Sequence, residues 1–320
     1  MERATFPAIV TAVNAETEAV NSYELSAIGT GTLPVFSAGS HVDLHLGNGM
    51  VRSYSIVNCQ SERHRYVIGV HRDAAGRGGS RFVHDSLHIG ETVTLSGPRN
   101  NFPLHEDAHH TVLIGGGIGI TPLLAMMTRL SKLGRPYEAY YVARTRSRAP
   151  FLKWIDELRE SAGADIRVSF NHEVPDTRLD IASIVRSAPD DAHLYCCGPS
   201  SMLEAFKVAT ARRSAEFVHL EHFRSAEEPT RERGFQVELT RSGVRLDVEP
   251  GQSILDVLIQ AGIDVAFSCE QGICGTCEVA VLDGVPDHRD TYLTPVEREK
   301  NTSLMICCSR SISDRLVLDL

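Results

Sequence analysis

Residues 269–277 read Cys-Glu-Gln-Gly-Ile-Cys-Gly-Thr-Cys, and a further cysteine pair, Cys307 and Cys308, follows about thirty residues later. Three cysteines separated by four and then two residues, with a distant fourth, form the thiolate framework of a plant-type [2Fe–2S] cluster. Gly272 and Gly275 stand where a side chain would obstruct the tight curl of such a loop. A structural zinc site or a disulfide-bearing loop is the alternative, but zinc sites usually pair two short cysteine or histidine turns. The spacing therefore predicts a carrier of single electrons.

One of two adjacent cysteines is the fourth ligand. Residues 304–310 are predicted to be extended, and neighbouring side chains of a strand point to opposite faces. Only one of Cys307 and Cys308 is therefore expected to face the cluster. The three ligands predicted in the loop are Cys269, Cys274 and Cys277.

The composition is that of a globular protein. The chain has 320 residues, 42% of them hydrophobic and 23% charged, which suits two or three domains. No apolar run reaches the roughly 18 residues of a membrane span, and the N-terminus lacks the layout of a signal peptide. A formal net charge of −9 argues against a nucleic-acid partner. Eight cysteines, four of them assigned to the cluster, do not suggest a disulfide scaffold, so we expect a reducing cytoplasm.

Residues 1–105 carry short alternating apolar segments separated by turn residues. Gly47-Asn48-Gly49 predicts a hairpin between two of these segments. Six short strands with such turns predict a small antiparallel β-barrel. The strands are expected at residues 9–13, 20–25, 42–46, 51–56, 66–70 and 93–95.

The order of predicted secondary-structure elements changes after the first third of the chain. From about residue 106 to 223, strands and helices alternate, which predicts a parallel sheet covered on both faces. Residues 224–234 are polar without an apolar period and are predicted to be a linker. Residues 235–320 begin with an alternating hairpin, followed by a helix that Ser253 is expected to cap.

The first domain contains a motif suited to an aromatic phosphate ligand. In Arg52-Ser53-Tyr54-Ser55, Arg52 and Tyr54 share one face of a strand while Ser53 and Ser55 share the other. Arginine suits bidentate phosphate binding, and tyrosine can cover a flat ring. A surface arginine and an ordinary barrel tyrosine are the alternative.

A second motif in this domain points to the same ligand. Gly76-Arg-Gly-Gly-Ser80 precedes a predicted helix at residues 81–87, which Ser80 would cap. Glycines followed by a helix N-terminus place several N–H donors around an anion. Both motifs together predict a flavin with a phosphate, and a flexible glycine loop is the alternative.

The second domain contains a glycine-rich strand end. Gly115-Gly-Gly-Ile-Gly-Ile-Thr-Pro122 follows a buried strand, and Pro122 is expected at the first position of a helix. Glycines there let a dinucleotide pyrophosphate approach the backbone. Tyr195-Cys-Cys-Gly-Pro199 is expected to end a second strand at the same sheet edge, where open α/β sheets bind ligands. Simple packing is the alternative for one of its cysteines.

The chain resembles the phthalate dioxygenase reductase family over essentially all 320 residues. The motifs that carry the resemblance are Arg52-Ser-Tyr-Ser55, Gly76-Arg-Gly-Gly-Ser80, Gly115–Pro122, Cys197-Gly-Pro199, His219-Leu-Glu221-His-Phe223 and the cysteine set. It implies a multidomain α/β and β fold. The implied domains are an antiparallel FMN-binding β-barrel at 1–105, a parallel-sheet NAD-binding α/β domain at 106–223, a linker at 224–234 and a plant-type [2Fe–2S] ferredoxin domain of the β-grasp type at 235–320.

The resemblance also implies the FMN-binding residues. Arg52 and Ser80 would bind the phosphate with help from the backbone of Gly78 and Gly79. Tyr54 would pack on the flavin, and Ser55 would lie near its N5 atom. The full set is Arg52, Ser53, Tyr54, Ser55, Gly78, Gly79 and Ser80.

For NADH, the resemblance implies that Cys197 approaches the nicotinamide, so that Ser55 and Cys197 are the implied catalytic residues. Phe223 would lie beside the flavin, with a core role as its alternative, and Arg144 would contact the adenosine side or be solvated. The full nucleotide set is Gly116, Gly117, Thr121, Pro122, Arg144, Cys197, Gly198 and Pro199. For the cluster, the resemblance favours Cys307 over Cys308, because the family's ligand directly follows an apolar run.

The function implied is that of a reductase component. Electrons would pass from NADH through FMN and the [2Fe–2S] cluster to a separate terminal oxygenase, a Rieske non-haem iron enzyme acting on an aromatic acid, as in vanillate demethylase systems. We expect a monomer without membrane or nucleic-acid partners. The alternatives are another acceptor, such as a cytochrome or a haem or carnitine-type monooxygenase, and a non-catalytic redox sensor. FAD in place of FMN and NADPH in place of NADH also stay open.

Overall fold

A computed structural model describes residues 5–29, 31–47, 50–74, 76, 78–173, 179–223, 233–270 and 272–320. The chain divides into two compact units, Met1–Glu221 and His222–Leu320. Across the described ranges, no helix has both the length and the apolar character that crossing a membrane requires. The domain boundaries near residues 105 and 234 stay predictions, and residues 224–232 of the predicted linker lie outside the described ranges.

The first unit begins with an antiparallel six-stranded sheet. Its strand order is β4-β3-β6-β1-β2-β5, and a bridge between Ile56 and Ile68 joins the end of β4 to β5. The sheet therefore closes on itself, which confirms the predicted barrel. The strands are β1 (Thr5–Thr17), β2 (Val20–Ala27), β3 (His41–His45), β4 (Val51–Ser55), β5 (Arg65–His71) and β6 (Thr92–Arg99).

Alternation along the strands builds the barrel core. Val42 and Leu44 of β3 are fully buried in the apolar cluster, while Asp43 between them points the other way and pairs with Arg99 at 2.6 Å. Strands β3 and β4 pair from His45 opposite Val51, as the predicted hairpin requires. Residues 48 and 49 of its turn lie outside the described ranges.

The remainder of the first unit is a parallel five-stranded sheet, as predicted. Its order is β11-β10-β7-β8-β9. The chain runs outward from β7 to β9 and then returns to the other side of β7, so the direction reverses between β7 and β10. The strands are β7 (Thr111–Gly116), β8 (Tyr137–Ala143), β9 (Asp165–Phe170), β10 (His193–Cys197) and β11 (Val218–Glu221). The helices of this unit are α1 (Gly79–Ser86), α2 (Ile120–Leu133), α3 (Leu152–Ala162), α4 (Ile181–Ser187) and α5 (Ser200–Thr210).

The second unit contains a mixed sheet and two short helices, in keeping with the predicted β-grasp. The sheet order is β13-β12-β18-β14-β16, with β12 and β18 parallel, and β15 and β17 form a separate pair. Ser253 caps helix α6 and forms a capping box with Asp256, as predicted. The elements are β12 (Phe235–Leu239), β13 (Arg245–Val248), α6 (Ile254–Gln260), β14 (Glu278–Asp283), β15 (Pro286–Asp287), α7 (Pro295–Lys300), β16 (Ser303–Met305), β17 (Arg310–Ser311) and β18 (Arg315–Leu318).

Two helix starts differ from the sequence expectation. Gly78, not Ser80, is the N-cap of α1, because a positive φ of 89° lets the helix begin one residue earlier than Ser80. The Ser80 hydroxyl instead accepts the N–H of Asp73 at 3.0 Å. Pro122 is the third residue of α2, not the first, because a 3₁₀ turn at Gly117–Gly119 leads the chain into the helix at Ile120.

The segment at 304–310 is extended at its two ends, in β16 and at Arg310 of β17, but the prediction is wrong between them. Strand β16 ends at Met305, and the Met305 carbonyl accepts the N–H groups of Cys308 at 3.3 Å and Ser309 at 2.9 Å. The two adjacent cysteines therefore lie in a tight turn. Their orientation follows from this turn and not from strand alternation.

Candidate cluster, flavin and nucleotide sites

The cysteine loop of the second unit, residues 269–277, has no room for a side chain at either of its two glycines. Gly272 and Gly275 adopt φ angles of 67° and 72°. A Cβ atom on Gly272 would lie 2.4 Å from the Cys308 sulfur, and one on Gly275 would lie 2.3 Å from the Tyr292 ring. The loop is held against its neighbours by the Thr291 N–H, which donates to the Gly272 carbonyl at 2.9 Å. This close packing explains both glycines of the motif.

Four sulfurs converge around this loop. Cys269, Cys277 and Cys307 are buried, and Cys274 is half-buried. The Gly272 N–H donates to the Cys307 sulfur at 3.3 Å, the kind of contact that tunes a cluster. Cys308 instead directs its thiol to the Met305 carbonyl at 3.8 Å. The geometry thus supports Cys307 as the fourth ligand.

Neighbouring thiols in this group change one another's pKa. Hydrogen bonding with Cys269 lowers the pKa of the Cys274 thiol to about 5, whereas the neighbouring Cys307 and burial raise the pKa of the Cys277 thiol. Buried sulfurs this close can all ionise only if cations lie among them. An iron centre supplies those cations, so the residues present fit a [2Fe–2S] cluster.

A buried guanidinium lies where β4 meets the start of α1. Arg52 is 8% exposed, and its guanidinium donates to the Val51 carbonyl at 2.7 Å. A Cβ atom on Gly79 would lie 2.4 Å from the Arg52 Nε atom, so the guanidinium lies directly against the first turn of the helix. A buried cation beside a helix N-terminus is suited to a phosphate group. The site fits the phosphate of a mononucleotide.

The four residues of the β4 motif divide between two faces. Tyr54 lies on the Arg52 face and packs against the barrel core, and burial raises the pKa of its phenol. Ser53 lies on the other face, where its hydroxyl donates to Asp43 at 2.6 Å. Ser55 is buried on the Ser53 face. Ser53 is therefore engaged in a polar network on the face opposite to Arg52.

Three glycines allow the segments that follow the paired strands β7 and β10 to pack closely against each other. A Cβ atom on Gly119 would lie 2.4 Å from the Cys197 carbonyl oxygen, and one on Gly116 would lie 2.7 Å from the Pro199 ring. A Cβ on Gly198 would meet the Met202 sulfur at 2.7 Å. These contacts place the carboxyl ends of both strands at the point where the sheet order reverses, which is where open α/β sheets bind nucleotides.

Three other predicted nucleotide residues of the first unit, Gly117, Thr121 and Arg144, follow strands that end at the same edge. Thr121 is buried and donates its hydroxyl to the Ile118 carbonyl at 2.9 Å, which fixes the turn into α2. Gly117 adopts a φ angle of 55° in that turn. Arg144 is exposed directly after β8. Phe223 is half-buried at the start of the second unit, and its placement beside a flavin stays a prediction.

Glu221 is a candidate site residue for which the motif at 219–223 indicated no role. It lies opposite Cys197 in the register of β10 and β11. Burial raises the pKa of Glu221 to about 8, and its Oε2 atom is buried without a hydrogen-bond partner among the described residues. Burial also raises the pKa of the Cys197 thiol. A neutral carboxyl and a neutral thiol therefore lie side by side at the carboxyl ends of β10 and β11.

Comparison with known proteins places these sites in a wider context. Residues 237–311 match the model of the 2Fe-2S iron-sulfur cluster binding domain. The chain is 48% identical to phenoxybenzoate dioxygenase subunit beta of Ectopseudomonas oleovorans, covering 93% of this chain and 92% of that protein. It is 39% identical to phthalate dioxygenase reductase of Burkholderia cepacia, covering 93% and 92%.

A solved structure is similar along the whole chain. It is described as a phthalate dioxygenase reductase with a modular structure for electron transfer from pyridine nucleotides to [2Fe–2S]. It is 36% identical, covers 99% of this chain and 98% of its own, and superimposes with a TM-score of 0.82. The likeness therefore includes both units.

Proposed function

Because this chain belongs to the phthalate dioxygenase reductase family, we propose that it is the reductase component of a two-component aromatic oxygenase. In this proposal electrons pass from NADH through FMN and the [2Fe–2S] cluster to a Rieske-type terminal oxygenase. The reductase acts as a cytoplasmic monomer.

Family membership confirms the class of enzyme and its cofactors. The chain is an oxidoreductase, and the expected set of FMN, NADH and a [2Fe–2S] cluster is confirmed. The oxygenase partner is supported by a relative that is named as a dioxygenase subunit. The Rieske type of that partner is the part of the proposal that needs experiment.

The observation that carries the proposal is the group of four cysteines in the second unit, Cys269, Cys274, Cys277 and Cys307, which we call the cysteine cradle. Three of its sulfurs are buried and one is half-buried, and the glycines of the loop at 269–277 have no room for a side chain. A [2Fe–2S] cluster exchanges one electron at a time, whereas NADH delivers a hydride. A flavin, when bound, accepts that hydride and releases its electrons singly. The half-buried Cys274 marks the more accessible side of the cradle.

The described residues have defined tasks in this proposal. Arg52 and the N-terminal N–H groups of α1 hold the FMN phosphate. Gly116 and Gly119 let the segments that follow β7 and β10 pack closely, and Gly117, whose Cβ position is open, would let a pyrophosphate approach the backbone. Cys197 and Glu221 present neutral polar groups at the carboxyl edge. The protein thus positions its cofactors, and the difficult chemistry belongs to them.

The proposal is tested by mixing the holoprotein anaerobically with NADH and a purified Rieske oxygenase of an aromatic pathway. We expect bleaching of the Rieske chromophore at the pace of NADH oxidation, and product formation after oxygen is admitted. A haem monooxygenase serves as the alternative acceptor in a parallel reaction. Reduction of the haem enzyme with no reduction of any Rieske protein would contradict the proposal.

Glu221 is expected to assist nicotinamide binding as a hydrogen-bond donor, because its carboxyl is protonated at neutral pH and has a buried oxygen without a partner. Glu221→Ala should slow NADH-dependent flavin reduction by about 2- to 10-fold, the loss of roughly one hydrogen bond. Stopped-flow absorbance of the flavin measures this rate.

Glu221→Gln is the matched control for this prediction, since its neutral amide also donates and has nearly the same shape. It should retain a rate within about twofold of the unmodified protein, because a hydrogen bond is preserved. If the glutamine variant were as slow as the alanine variant, a donor role for Glu221 would be ruled out.

A further inference from the structure

Three histidines gather at the amino-terminal edge of the parallel sheet. His193 is the first residue of β10, His219 lies in β11, and His105 precedes β7. The His193 Nδ1 atom lies 2.9 Å from the His219 Nε2 atom. One ring nitrogen from each of the three histidines lies within 4.8 Å of the other two. The proposed NADH and FMN functions use none of these side chains.

The cluster is held in place by Tyr195. The Tyr195 ring stacks on His219 with centroids 4.4 Å apart. Its hydroxyl accepts the backbone N–H of His105 at 2.9 Å and donates to the Pro103 carbonyl at 3.2 Å. The loop that carries His105 is therefore fixed against the sheet. Tyr195 therefore fixes both His219 and the backbone at His105, so the fold itself holds the three histidines near one another.

The chemistry of the cluster suits a metal ion. The His193 and His219 rings are half-buried and nearly parallel, with centroids 5.2 Å apart, and each turns a nitrogen toward the other. The neutral imidazole of histidine is the commonest metal ligand in proteins. His105 is exposed, so one side of the cluster is open to solvent.

We propose that His105, His193 and His219 form a binding site for a late first-row divalent cation, such as Zn²⁺, with solvent in the remaining position. Imidazole ligands favour zinc, copper and nickel, and three histidines with one open position are a known zinc arrangement. In β10, His193 is four residues from Cys197, which is roughly 13 Å of extended strand. Metal binding there is separate from the nucleotide edge.

The geometry sets a definite requirement for binding. Zn–N bonds of about 2.0–2.1 Å in a tetrahedron place ligand nitrogens about 3.3 Å apart. The 2.9 Å hydrogen bond between His193 and His219 is therefore exchanged for two bonds to the cation, with a small separation of the rings. His105 moves inward by a side-chain rotation that its exposure permits.

The test uses the intact holoprotein with FMN and the [2Fe–2S] cluster in place, so that the cysteines are occupied. Isothermal titration with Zn²⁺ should show one site, and Co²⁺ should give visible bands of tetrahedral coordination. His105→Ala should weaken Zn²⁺ binding at least tenfold. His109→Ala, a substitution of an exposed histidine of the same loop, should leave it unchanged. His219→Gln should abolish the Co²⁺ bands.

Three results would overturn the proposal. One is the absence of Zn²⁺ binding to the holoprotein up to millimolar metal. Another is equal weakening by His105→Ala and His109→Ala, which would indicate general surface binding. The third is unchanged Co²⁺ bands in His219→Gln, provided that thermal unfolding shows that this variant is folded.

Discussion

Cys307→Ser is expected to abolish electron transfer to a one-electron acceptor while NADH still reduces the flavin. Cys307 is buried in the cradle, and its sulfur accepts the Gly272 N–H at 3.3 Å. Because even the hydrogen-bond partners of metal ligands are typically worth 10–100-fold, the loss of a ligand should reduce cytochrome c or oxygenase reduction by at least about 100-fold. Ferricyanide reduction, which needs only the flavin, should change by less than about twofold since the first unit is untouched.

Cys308→Ser is the matched control, because the adjacent cysteine lies in the same turn with its thiol directed to the Met305 carbonyl. It should retain iron, acid-labile sulfide and the visible spectrum of the cluster. Iron analysis and electron paramagnetic resonance of the dithionite-reduced proteins measure both variants. The opposite pattern, with the cluster lost in Cys308→Ser and kept in Cys307→Ser, would reverse the ligand assignment.

Arg52→Met is expected to weaken FMN binding by about 10- to 100-fold, the range that follows from the 1.5–3 kcal/mol of a hydrogen bond to a charged group. The guanidinium is buried against the first turn of α1, and methionine keeps most of the volume without the charge. Gly79→Ala should act in the same direction, because its Cβ atom would lie 2.4 Å from the Arg52 Nε atom. Quenching of FMN fluorescence on titration with the flavin-free protein measures the affinity.

Arg72→Met provides the control for charge removal in the same domain. Arg72 is exposed and pairs with Asp85 at 2.9 Å, and such surface pairs contribute about 0–1 kcal/mol. It should bind FMN as tightly as the unmodified protein. If Arg52→Met bound FMN within about twofold of that value while remaining folded by circular dichroism, the phosphate site would lie elsewhere.

Local sequence patterns predicted those parts of the molecule whose structure depends on neighbouring residues. The alternation of apolar residues predicted all six barrel strands, and Ser253 predicted the start of α6. The same reasoning failed at residues 306–309, where the N–H groups of Cys308 and Ser309 bond to the Met305 carbonyl and form a turn. It also failed at Ser80, because the positive φ angle of Gly78 begins the helix earlier.

The spacing of the cysteines by itself determined that this protein holds an iron–sulfur cluster, since a loop of nine residues fixes three ligands within its own length. Only the tertiary structure decided which neighbours share a site. It placed Cys197 opposite Glu221, brought the Cys307 sulfur to the Gly272 N–H, and assembled three histidines from distant segments. These contacts depend on strand order and register. They join residues far apart in the chain, so no local sequence pattern predicts them.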